Sequence, residues 1–174
     1  MFANWDSFFL LIGGAAGGLI GLLFIVVTLI RGGDTGTKLR GASVFMTPTV
    51  ALLAMVLTLS AFATAPGIPR PAAGVIFSLC ALTCLTFTGR ALAMLITESV
   101  KSTHWSDVWG YGVAPFAASL GLAASAEAVW LSWSWAAFGI AASLVAMLLI
   151  AVRNAWDLVT WITAKGDSLS RPPD

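Results

Sequence analysis

From Phe8 to Ile30 the chain carries no charged residue, and four more apolar runs follow it at short intervals. A helix needs about 20 apolar residues to cross roughly 30 Å of hydrocarbon, and five segments meet that length or approach it. They are 8–30, 44–65, 72–96, 113–130 and 135–152. The second is interrupted by Pro48, the third contains Arg90, and the fourth, rich in Ala, Gly and Ser, contains Glu127. Only Leu131 to Ser134 separates the last two runs, which requires a tight helical hairpin. The fourth run is the weakest span, with a re-entrant element as its alternative. Beyond Val152 the helical pattern continues to about 165, where Lys165 and Gly166 supply a stop signal. Residues 167–174, with two prolines and two serines, read as a flexible tail. The expected fold is an all-α, polytopic transmembrane helical bundle of about five spans in a single domain, 1–166.

Composition strengthens this reading. Of 174 residues 59% are apolar and 10% charged, and the mean hydropathy is +0.93, which sets the chain apart from soluble domains. A net charge of +1 provides no basic surface for nucleic acid. Cys80 and Cys84 lie four apart in one run, a poor helical geometry for a disulfide, and are expected to be reduced and packed. The opening Met1 to Phe9 lacks the basic residue of a secretory leader and the following run is long, so the first helix is expected to stay.

Basic residues near short loops are retained on the cytoplasmic side. Arg31, Lys38 and Arg40 follow the first run, Lys101 the third, and Arg153, Lys165 and Arg171 the fifth, with Arg70 alone on the other side. That asymmetry needs an odd number of spans and predicts an outside amino terminus with a cytoplasmic carboxyl terminus. Tryptophans agree with it. Trp5, Trp130, Trp133 and Trp135 mark the outer interface, and Trp105, Trp109, Trp156 and Trp161 the inner one.

Gly13, Gly17 and Gly21, with Gly14 and Gly18 beside them, leave one face of the first helix almost without side chains. Such a face lets another backbone approach closely, either inside one bundle or at a subunit interface or narrow pore. Ala117, Gly121 and Ser125 repeat the theme, and Gly139 with Ser143 does so more weakly. The stretch Trp5-Asp6-Ser7-Phe8-Phe9, then Gly13-Gly14-Ala15-Ala16-Gly17 and Gly21-Leu22-Leu23-Phe24, resembles the opening of an uncharacterised group of small bacterial polytopic inner-membrane proteins. The resemblance covers the first span; it implies a bacterial inner membrane and no activity.

Ionisable groups inside a bilayer are costly enough to be functional candidates. Arg90 shares a helical face with Thr83 and Thr86, beside a stripe of Cys80, Cys84 and Thr88, and this helix is expected to look into the protein interior. Three roles remain open for Arg90: snorkelling to the headgroups, a pair with Asp157, or binding and conducting an anion. Glu127 lies about one turn inside the outer end of its span; it is either an interfacial carboxylate or part of an ion or proton path. Pro48, between Thr47 and Thr49, predicts a kink whose freed carbonyl the hydroxyls satisfy, with a gating hinge as the sharper alternative.

Several chemistries are absent. Gly32 to Lys38 has Thr37 where a phosphate-binding loop needs glycine, and it follows an apolar run instead of a strand. His104 is the only histidine, so two-histidine haem ligation and a metal-protease site within one chain are excluded, and no metal or cofactor is expected. Arg31, Lys38 and Arg40 suit anionic lipid headgroups, each worth on the order of 1 kcal/mol. The first expectation for function is a homo-oligomeric permeation protein, an ion channel or small transporter; the alternative is a non-catalytic accessory, assembly or regulatory subunit working with other membrane subunits. An enzyme is disfavoured because Glu127 has no second catalytic partner in sight.

Overall fold

The computed structural model describes residues 2, 4–31, 36–98 and 108–169. Five α-helices follow in order: α1 (Asp6–Arg31), α2 (Gly36–Thr64), α3 (Arg70–Glu98), α4 (Ala114–Trp130) and α5 (Ala136–Leu169), with a π-helical segment, Val108–Val113, opening the fourth. No strand occurs among the described residues. Each expected run coincides with one helix. Helix α2 starts earlier than its apolar run, and α5 continues past Gly166 to Leu169, so part of the expected tail is helical. A lone glycine weakens a helix by only about 1 kcal/mol, too little to end a long one.

Among the described residues four helices are long and apolar enough to cross a membrane, within Asp6–Val26, Arg70–Thr97, Val108–Trp130 and Ala136–Asp157. In α2 the apolar stretch Pro48–Thr64 is shorter. Side chains on both sides of the helices are apolar. Phe9, Leu52, Leu53, Val56, Leu59, Phe77, Leu122, Ile140, Leu144 and Met147 fill the interior, while Leu10 (73% exposed), Phe138 (65%) and Leu149 (63%) point outward. Such an exterior suits lipid, where helices gain little from hiding apolar surface and associate through close packing.

Close packing comes from small residues. Helix α1 lies on α2, α3 on α4, α4 on α5, and α2 on α5. A Cβ added at Gly13 would stand 2.9 Å from Ser60 Cβ, and one at Gly74 only 2.7 Å from the Trp130 indole, whose Nε1 donates to Ser78 Oγ at 3.1 Å. Both glycines therefore mark places where one helix rests directly on another.

The α4–α5 hairpin closes in a Schellman arrangement. Trp133 N donates to the Ala128 carbonyl at 3.0 Å and Ser132 N to that of Val129 at 3.1 Å. Ser132 takes the left-handed conformation there, with φ 57°, a position normally filled by glycine. The π-helical segment has a local cause as well. Pro115 has no N–H to offer the Tyr111 carbonyl, so the regular ladder is interrupted where the chain winds wider.

Candidate functional site

Helix α3 carries a polar stripe that the bundle turns outward. Thr83, Thr86, Arg90 and Thr97 are all exposed and follow one another at helical spacing. Each threonine is satisfied within its own helix: Thr83 donates to the Leu79 carbonyl at 2.9 Å, Thr86 to Thr83 at 2.9 Å, and Thr97 to Ala93 at 2.6 Å. The expectation that this helix looks into the interior therefore holds for its Cys84–Thr88 stripe and is corrected for the face of Thr83, Thr86 and Arg90. The buried face of α3 holds Ala81, Cys84 and Thr88, with Cys80 half-buried. Thr88 donates to the Cys84 carbonyl at 2.7 Å and sits 3.2 Å from Ser119 Oγ on α4. Size decides the orientation, because small groups let α4 close on α3 whereas arginine does not. Both cysteines are free thiols, as expected.

The pair between Arg90 and Asp157 is replaced by a nearer one. Asp157 lies 3.7 Å from Arg153, one turn earlier on the same helix, where such pairs meet without any tertiary arrangement. Glu127 is exposed on α4, along a ridge with Ala117, Leu120 and Ala124. Arg90 and Glu127 thus stand on different helices and both face outward.

The glycines of α1 divide into two sets. Gly13 and Gly17 lie over Ser60 and Leu57 of α2, so two of the five glycines are used inside the chain; Gly14, Gly18 and Gly21 meet nothing within 4 Å. Pro48 is inside α2, half-buried, next to the fully buried Thr49. The side chains of Arg31, Lys38, Arg40, Thr47, Trp161 and Lys165, and residues Lys101, His104, Trp105 and Arg171, lie outside the described set.

Two open cavities occupy opposite ends of the bundle. At the hairpin end a cup of about 370 Å³ is lined by Phe2, Asp6, Phe62, Thr64 and Arg70 among others, bringing an acid and a base to one rim. Aromatic contacts seal the interior beneath it: Phe2 meets Phe9 and Phe77 at 5.3 and 5.5 Å, and Trp5 meets Phe138 at 4.8 Å. Trp130, Trp133 and Trp135 are exposed at this end, and Trp109 and Trp156 at the other.

At that other end a crevice of about 320 Å³ lies between the π-helical segment and α5, lined by Trp109, Gly110, Ala114, Ile150 and Arg153. The Arg153 guanidinium rests on Gly110, where any Cβ would collide with Nη1. Behind it Asn154 is 1% exposed. Its Nδ2 donates to the Gly110 carbonyl at 3.4 Å, its own carbonyl accepts from Tyr111 Oη at 3.4 Å, and its Oδ1 has no partner. Sequence reasoning missed this cluster. The available signals were an asparagine inside an apolar helix and two glycines just ahead of a proline.

No group of three or more potential metal ligands is present among the described residues. No family, no curated protein and no solved structure matches the chain.

Proposed function

We propose that the chain is a multi-pass inner-membrane protein of bacterial type, with about five crossings, an outside amino terminus and a cytoplasmic carboxyl terminus, and that it works as a homo-oligomeric permeation protein. One observation carries the reading: Thr83, Thr86, Arg90 and Thr97 form an outward polar stripe, while the interior of the single chain is filled by large apolar side chains. A path through one chain has no room. A path between chains is lined by the stripe, and its surroundings remove the cost of leaving Arg90 against hydrocarbon. Arg90 is the deep charge of such a path and gives it a preference for anions, while Glu127 acts nearer the outer mouth.

The test is current against voltage in planar bilayers holding the purified protein under asymmetric potassium chloride, with protein-free bilayers as control. Discrete currents reversing toward the chloride potential support the reading, and Arg90→Gln moves the reversal toward zero. Silence from a protein that remains monomeric in mild detergent defeats it. A second reading, an accessory or assembly subunit, is favoured by the self-satisfied threonine hydroxyls, which need no water and suit a covering helix equally well. Gentle solubilisation that recovers a reproducible complex with a different polypeptide distinguishes it.

A further inference from the structure

We propose that the crevice between the π-helical segment and α5 binds an anionic phospholipid, with its phosphate on the Arg153 guanidinium and an acyl chain along Trp109, Ala114 and Ile150. This inference is independent of permeation.

The crevice combines one cation with apolar walls, since Arg153 is the single charged residue among its lining side chains. That combination selects an amphiphile. A small free anion would leave the walls unused, and a zwitterionic lipid, whose own ammonium group already balances its phosphate, would gain less from the guanidinium than a lipid with net negative charge. Arginine presents a planar fork of donors suited to phosphate oxygens. Its contact with Asp157, at 3.7 Å from Nη2, is longer than the roughly 2.7–2.9 Å of a charge-assisted hydrogen bond, so donors remain for a ligand.

The seat of the guanidinium is built by the backbone. Gly110 has no side chain, and the guanidinium occupies the space a Cβ would take. Asn154, holding the Gly110 carbonyl through Nδ2, and Tyr111, donating to the Asn154 carbonyl, tie the segment to α5. Position agrees with the chemistry. Trp109 and Trp156 are exposed at this end, as expected where a helix meets the headgroup layer.

Retention of added dioleoyl-phosphatidylglycerol or dioleoyl-phosphatidylcholine on the full-length protein in detergent is measured by native mass spectrometry, with helical content checked by circular dichroism. Wild type is expected to retain the anionic lipid preferentially. Arg153→Gln should weaken that retention about fivefold, the factor equivalent to the roughly 1 kcal/mol of one basic group near a membrane surface. Gly110→Ala keeps the charge but displaces the guanidinium, and since the clash is with the tip of a flexible side chain the fold is retained; it should reduce retention in the same direction and serves if Arg153→Gln does not fold. Equal retention of both lipids overturns the proposal, as does unchanged retention in the folded variants. Displacement of the lipid by millimolar inorganic phosphate alone also overturns it, assigning the crevice to the free anion.

Discussion

Replacing Gly13 by alanine tests whether α1 is held to α2 by backbone proximity. The new Cβ would lie 2.9 Å from Ser60 Cβ, against about 3.5–4.0 Å for a relaxed carbon–carbon contact. Ser60 Cβ is fixed to its helix and cannot rotate away, so α1 and α2 must separate. Overpacking of this kind costs about 1–3 kcal/mol, offset by about 1 kcal/mol of helix propensity gained over glycine. Gly13→Ala should therefore be neutral to about 2 kcal/mol destabilising. Gly14→Ala and Gly18→Ala meet open space and keep only the propensity gain, up to about 1 kcal/mol. Unfolding by sodium dodecyl sulfate in mixed micelles, followed by circular dichroism, measures the differences. Adding Ser60→Gly should close the gap between Gly13→Ala and Gly14→Ala, because the atom in the way is gone. Equal stability of the two single variants, or a gap that survives Ser60→Gly, would refute the argument.

The other expectations concern separate parts of the bundle. Glu127→Gln should shift the reversal potential in the same bilayer recordings if the carboxylate stands at the mouth of the path; unchanged selectivity and conductance remove it from the mechanism. Ser132→Gly should stabilise the α4–α5 hairpin by about 1 kcal/mol, the cost of a left-handed non-glycine residue, as read from the same unfolding curves. Trp130→Leu removes the half-exposed indole that covers Gly74 and donates to Ser78, and should lower stability by about 1–2 kcal/mol, the lost hydrogen bond plus part of the ring's packing; an unchanged unfolding curve contradicts the packing described. Cys84, nearly fully buried, should resist a bulky maleimide in folded protein and react after denaturation, as followed by mass.

Helices were legible in the sequence because a charge-free run is a long-range pattern that needs no knowledge of neighbours. The α4–α5 hairpin was legible too, since Leu131 to Ser134 leaves the chain no other course. Which side of a helix faces inward was not. In water polarity marks the outer face, but between lipid and a packed interior both faces are apolar, and the outcome depends on which partner helix needs room. Thr83 and Arg90 therefore faced outward against expectation, while Thr88, four residues from Cys84, was drawn in by Ser119. For the same reason Gly13 and Gly14 read alike in sequence and differ in space. The Gly110–Arg153–Asn154 cluster depends on a π turn, which no apolar periodicity announces.

Helix α5 is 34 residues long, about 51 Å at 1.5 Å per residue, so it outreaches a hydrocarbon layer of roughly 30 Å by about two-thirds of that thickness. No proline interrupts it. Its first half is clamped by Ile140, Leu144 and Met147 in the core, while the remainder runs on past Arg153 as one continuous rod. Mechanically this is a lever with its fulcrum inside the bundle. A force applied to the overhang turns or tilts the same helix that carries the seat of the crevice, with no loop between them to absorb the movement.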